Sequence, residues 1–353
     1  MSDEFRTLLK KVASGTHTSE NLTRQEAEIA TRSILLQEAT PAQIGAFMIA
    51  HRIKRPISEE LAGMLDAYDA LSTKLQPIQS QYPVTVMCCP YDGRTRTAPV
   101  TTLVALILAT AGVPTIQHGG DRMPTKEGIP LIELWNGLGV HWESLSITQM
   151  QQVLESTGLG FVYLPTHFPS AQGIVQYRDQ IGKRPPFATL ELMWCPYAGD
   201  CHLVCGYVHP PTETFFREVF AMRGTQNFTS VKGLEGSCDL PRDRTAIIGF
   251  DRSDLFERLT LAPRDFGFAA KEVPLESDQS LITQMKSVLE AEPSELMQAT
   301  IWNAGFFLWR DGVCADLEEG FAIAKDLLSS GRVSQKLKQT VDAIQSMQPI
   351  PSR

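Results

Sequence analysis

The chain predicts an α/β fold, with a small N-terminal helical domain beside a larger α/β domain built on a mostly parallel central sheet. Three observations predict it. Residues 3–75 carry helical periodicity with no strand-like alternation. After Pro77, short β-prone runs take turns with helical ones, which is the grammar of βαβ units. Polar, glycine-bearing loops follow the first two of those runs, where open parallel sheets keep their ligand sites.

Within the helical block, Thr23 and Glu26 form a capping-box pattern ahead of the periodic Ala27, Ile29, Ala30, Ile34 and Leu35. Thr40-Pro41 opens a second helix with Ile44, Phe47, Met48 and Ala50 on its apolar face, and Ser58 begins a third that ends near Leu75. Beyond Pro77, strands are expected at 84–87, 113–116, 160–164, 203–208, 228–232 and 246–250. Helices are expected at 99–111, 129–138, 149–155 and 214–222, then at 281–289, 294–309 and 317–329. The domains are therefore set at 1–77 and 78–345, with 170–190 returning helices to the first, and 346–353 is a frayed tail.

A chain of 353 residues that is 43% apolar can bury a large core. Its net charge of -8 argues against broad nucleic-acid binding, which depends on clustered Lys and Arg, but leaves room for a local anion site. The apolar run 103–109 is too short for a bilayer, no signal-peptide pattern opens the chain, and seven cysteines make no disulfide framework at this length. A cytoplasmic protein is expected.

The residues that carry chemistry fall mostly between 92 and 128. Asp92-Gly93 makes a tight turn, Arg94 follows it, and Thr101 and Thr102 sit in the first turn of the next helix, where hydroxyls can reach an anion. His118-Gly119-Gly120 and Lys126 stand where the second strand ends, and Lys126 can serve as a point charge on phosphate. Alone, the first is equally an ordinary turn and the second a solvated loop. Their succession within one βαβ unit favours an anion site. Arg178, on a helix stopped by Pro185-Pro186, can grip an anion bidentately or form a surface ion pair. Glu235 and Asp239, in a glycine loop after a strand, suit Mg²⁺ bound with a phosphate, or solvent. Cys195, Cys201, His202 and Cys205 lack a paired-cysteine spacing and read as buried thiols rather than a zinc site.

In this order the motifs resemble anthranilate phosphoribosyltransferase and its relatives, which share a fold with pyrimidine nucleoside phosphorylases. The resemblance spans roughly 3–345 and is densest over 84–190. By it, Asp92 and Gly93 match the end of the family's glycine-rich diphosphate loop, Thr101 and Thr102 its Ser-Thr, and His118 and Gly119 its His-Gly. Lys126 and Gly128 match the Lys and Gly that follow. Phe168 falls on a histidine and Arg178 on an arginine that contact the acceptor, and Arg184 with Phe187 match a further segment. Cys88-Cys89-Pro90-Tyr91 replaces the loop's Gly-Thr-Gly-Gly, and Cys238-Asp239 replaces the acidic pair that holds Mg²⁺, leaving Asp239 with Glu235 as ligands. Arg94, Arg96 and Arg122 are placed to make up for lost amide donors.

The resemblance implies transfer of a phosphoribosyl group from phosphoribosyl diphosphate to an unidentified acceptor, with Mg²⁺, by a homodimer joined through its helical domain. Two alternatives stay open: a catalytically silent member that binds nucleic acid or another anion, and a nucleoside phosphorylase.

Overall fold

The computed structural model describes residues 3–15, 17–252 and 255–347, so the expected tail lies almost wholly outside the described residues. Four helices open the chain: α1 (Asp3–Val12), α2 (Arg24–Leu35), α3 (Pro41–Lys54) and α4 (Ser58–Leu71). The capping boxes at Thr23–Glu26 and Thr40–Gln43 both form, so the starts of α2 and α3 are set by side chains three residues apart. Helix α4 stops at Leu71 rather than near Leu75. The chain turns extended there because Leu75 pairs through its backbone with Pro196 and Ala198, tying the helical unit to the other domain.

The α/β part runs β1 (Val84–Cys88), α5 (Thr101–Thr110), β2 (Thr115–Gly119), α6 (Leu131–Gly137), α7 (Ile147–Thr157) and β3 (Leu159–Tyr163). Short helices α8 (Leu164–His167), α9 (Pro169–Gln172), α10 (Val175–Ile181) and α11 (Phe187–Leu190) then carry the chain back to the helical unit. There α10 packs on α3 and α11 on α4. The Tyr177 hydroxyl donates to Gln37 Oε1, and Arg52 Nε donates to the Arg184 carbonyl. Next come β4 (Cys201–Gly206), α12 (Pro210–Arg223), β5 (Phe228–Val231), β6 (Ala246–Arg252) and β7 (Leu255–Leu261). Helices α13 (Asp278–Leu289), α14 (Glu295–Arg310), α15 (Leu317–Ser329) and α16 (Arg332–Ser346) complete the chain.

The seven strands form one sheet in the order β3-β2-β1-β4-β5-β6-β7. Strands β1 to β5 are parallel, while β6 is antiparallel to both β5 and β7. Helix α5 is apolar all round and buried along its length, because the sheet covers one side and α14, α15 and α16 the other. Parallel topology places the loops after β1 and β2 side by side at one edge of the sheet, with β4's end beside them.

Candidate functional site

Two of those loops are locked together by their backbones. Gly93 has φ +66, a left-handed conformation, and a Cβ there would lie within 2.6 Å of the Gly128 and Ile129 backbone. A Cβ on Gly128 would in turn lie 2.5 Å from the Asp92 carbonyl oxygen. Only glycine allows this approach from either side. Arg94 and Ile129 then exchange backbone hydrogen bonds, and Lys126 Nζ donates to the Gly93 carbonyl at 2.8 Å. Asp92 completes the clamp by accepting from the Thr125 hydroxyl at 2.9 Å and pairing with Arg184 at 2.8 Å.

A third loop, Val231 to Asp239 after β5, brings two carboxylates against this pair. Glu235 sits in a 3₁₀ turn, Leu234–Gly236, and takes donors from every side. The backbone N–H groups of Thr95, Arg96 and Thr97 donate to it at 3.2, 3.0 and 3.1 Å. The hydroxyls of Thr95 and Thr97 add bonds of 3.1 and 3.2 Å, while Lys126 pairs at 2.9 Å and Arg94 at 3.4 Å. Burial would raise the Glu235 carboxyl, but Lys126, the Arg96 amide and Arg94 outweigh it and hold it far below the ordinary carboxylate range. Asp239 accepts from the Val100 N–H at 3.2 Å and the Thr101 hydroxyl at 2.6 Å, and pairs with Arg94 at 2.8 Å. It therefore occupies the N-terminus of α5, where a negative charge is favoured.

The structure thus gathers Asp92, Gly93, Arg94, Thr101, Lys126, Glu235 and Asp239 in one cluster. Other expected residues lie elsewhere. The Thr102 hydroxyl is buried without a hydrogen-bond partner. Gly119 ends β2 within the sheet. Arg122 pairs with Glu133 and Asp278, away from the cluster. The side chain of Arg96 is 78% exposed, and it reaches Glu235 with its amide at 3.0 Å and more loosely with its guanidinium at 3.8 Å.

His118 points into an aromatic group. It bonds the Tyr91 hydroxyl through Nδ1 and lies edge-on to both Tyr91 and Trp194, with centroids 5.5 and 5.3 Å away. Burial alone pulls its imidazole down to about 3, so it is neutral at physiological pH. Phe168 packs against Trp194 and Tyr68, both at 5.3 Å. Arg178 is fully buried with Glu191, and its Nη1 lies 3.3 Å from the Met123 sulfur. The surface ion pair considered for Arg178 is therefore a buried one.

Sequence reasoning missed the amide row at 95–97, Glu191, and Arg52 and Arg55 in the cleft. The polar run Arg94-Thr95-Arg96-Thr97 straight after the Asp-Gly turn was the available signal. A cavity of about 390 Å³ opens beside the cluster between the two domains, lined by Arg52, Arg55, Lys126, Arg184, Phe215 and Glu235. A cavity of about 430 Å³ lies near the other end of β4, beside Lys74, Cys195 and Cys201, far from these charges. Cys195 and Cys201 are half-buried with sulfurs 3.5 Å apart, Cys205 is fully buried, and His202 is held by Asp311 and Thr229.

Two family models match the chain: the a/b domain of a glycosyl transferase family over residues 92–334, and its helical bundle domain over residues 6–72. The anthranilate phosphoribosyltransferase of Azorhizobium caulinodans is 27% identical over 350 residues, covering 98% of each chain. That of Chromobacterium violaceum is 26% identical over 314 residues, 88% of this chain and 90% of the relative. Among solved structures, the Thermus thermophilus enzyme superposes with a TM-score of 0.79 at 21% identity, covering 98% of this chain and all of its own. The Saccharomyces cerevisiae enzyme in complex with PRPP and Mg gives 0.82 at 16% identity, covering 98% and 99%. These structural likenesses establish the shared fold.

Proposed function

Since the chain belongs to this glycosyl transferase family, in its anthranilate phosphoribosyltransferase-like part, we propose that it transfers a phosphoribosyl group from phosphoribosyl diphosphate to a small acceptor. The observation that carries this reading is the cradle of three successive amides with Lys126 and Arg94, built where β1 and β2 end. Consecutive N–H groups with cations beside them are what a phosphoryl group requires.

In such a transfer the bond from the ribose anomeric carbon to the diphosphate oxygen breaks, and the diphosphate leaves with the electron pair. The acceptor's lone pair forms the new bond and its proton is lost. Charge stabilisation on the leaving group and orientation of the acceptor supply the catalysis. Lys126, Arg94 and the amides of 95–97 would hold the leaving group. His118 stands neutral among aromatic rings, with Nδ1 bonded to the Tyr91 hydroxyl. The acceptor would enter through the cleft cavity, with Arg52, Arg55 and Arg184 on its walls. Arg178 and Phe168 are buried in the aromatic group behind the loops.

Magnesium belongs to this reading as the partner of the diphosphate, as in the yeast structure with PRPP and Mg. The chain's residues do not form a metal site of their own. Glu235 and Asp239 are already committed to Arg94, Lys126 and amide donors, and no three His, Cys, Asp or Glu side chains converge among the described residues. We propose that the protein acts as a homodimer joined through the helical domain.

Isothermal titration with phosphoribosyl diphosphate and Mg²⁺ should give saturable heat, weakened roughly tenfold to a hundredfold in Lys126→Ala, the loss of one charged hydrogen bond. No heat at millimolar ligand would sink the transferase reading.

A further inference from the structure

Glu235 does more than border the cradle: it fills it. Seven donors lie within 3.4 Å of its two carboxylate oxygens, namely three amides, two hydroxyls, the Lys126 ammonium and the Arg94 guanidinium, and the Arg96 guanidinium stands at 3.8 Å. A carboxylate offers about four lone-pair positions, so the donors outnumber what one carboxylate can use. Three phosphoryl oxygens would use them more fully. The donor set is sized for a larger, more highly charged anion than the one it holds.

The backbone points the same way. Glu235 has φ 53 and ψ 21, a left-handed conformation that a glutamate adopts only when its surroundings hold it there. Gly233 precedes the turn and Gly236, at φ +86, ends it, so glycines flank Glu235 at the two positions that set its direction. The side chain is 4% exposed, yet the residue lines the open cleft cavity. Arg55 lines the same cavity and has no ion pair among the described residues. It gives a displaced carboxylate somewhere to go.

We propose that Glu235 is an internal occupant of the phosphate cradle, which an incoming ligand must displace, so that the site selects diphosphates over singly charged anions. This rests on the cradle being the diphosphate site. A competing carboxylate already fixed in place sets a threshold that one weakly charged group cannot cross. A diphosphate crosses it, because it brings more charge and more acceptor oxygens to the same donors. Glu235 is accordingly a specificity residue, and its occupancy keeps the cations of the empty site neutralised.

Titration with inorganic pyrophosphate and with orthophosphate, in EDTA, tests the idea on the wild-type protein, Glu235→Gln and Glu127→Gln. Glu235→Gln should bind pyrophosphate at least tenfold tighter than wild type, and its preference for pyrophosphate over orthophosphate should narrow. Glu127→Gln removes a neighbouring exposed charge and should leave both affinities within twofold. Equal or weaker pyrophosphate binding in Glu235→Gln overturns the proposal, as does an equal gain in Glu127→Gln, which would mark a general charge effect. Weakening seen only when Mg²⁺ is added would make Glu235 a metal ligand instead. Should Glu235→Gln not fold, Glu235→Asp, which keeps the charge but withdraws it by one methylene, must still tighten pyrophosphate binding. Lys126→Ala separates this idea from the site assignment. If pyrophosphate binds equally with and without Lys126, the cradle itself is misplaced.

Discussion

Glu191 is a buried carboxylate beside Arg178, and burial wins over the arginine: its carboxyl is pushed up to about 7. The sign follows from proton counting. Between the ordinary value of 4.5 and about 7 the folded chain holds a proton that the unfolded chain has released, so stability falls as pH rises through this window. The full difference is about 3 kcal/mol. Denaturant melts from pH 5 to pH 8 should show that slope, and Glu191→Gln, whose amide resembles the protonated acid, should flatten it. A slope unchanged in the variant would place the titration elsewhere. This pair also shows what sequence could convey. Lys126 and Arg94 were legible because loops at strand ends are solvent-facing by topology. The depth of Arg178 and His118 was not, since it is set by Tyr91, Trp194 and Phe168 arriving from distant segments. The amides that hold Glu235 carry no residue signature at all.

Among the elements, α3 and α4 are joined at Glu60, which accepts from His51, Lys54 and the N–H groups of Leu22 and Ile57. Burial would raise this carboxyl, but His51, the Leu22 amide and Lys54 outweigh it and hold it down to about 2. Its stabilisation is present above the ordinary value of 4.5 and is lost as pH falls toward about 2. Glu60→Gln should cost about 3 kcal/mol near neutrality and remove that acid limb. Circular dichroism melts at pH 7 and pH 3 would check both. The helices themselves were legible from caps and periodicity. Strand β7 was not: its side chains are mostly exposed, so no apolar alternation announces it, and the antiparallel β6–β7 hairpin goes unread. Helix α16, whose N-cap is Gly331, was not among the expected helices.

For the whole molecule, the helical unit exposes Ile53 and Leu36, at 63% and 43%. The proposed homodimer through this unit would cover such residues, so sedimentation should find a dimer that Ile53→Glu dissociates. An unchanged monomer in both would remove that expectation. One feature of the cradle reaches further, into how the protein is made. Arg94 and Asp239 are 145 residues apart, and Thr95 and Glu235 are separated by 140. Four parallel strands and the α12 crossover lie between the first contact and its partner. On a ribosome the first loop therefore waits until the sheet as far as β5 exists, since so distant a pairing is reached late. Until then its arginine and lysine are unneutralised and its amides bare. The cradle becomes a clock for folding, and docking of Glu235 onto its donors should appear in the last phase of refolding.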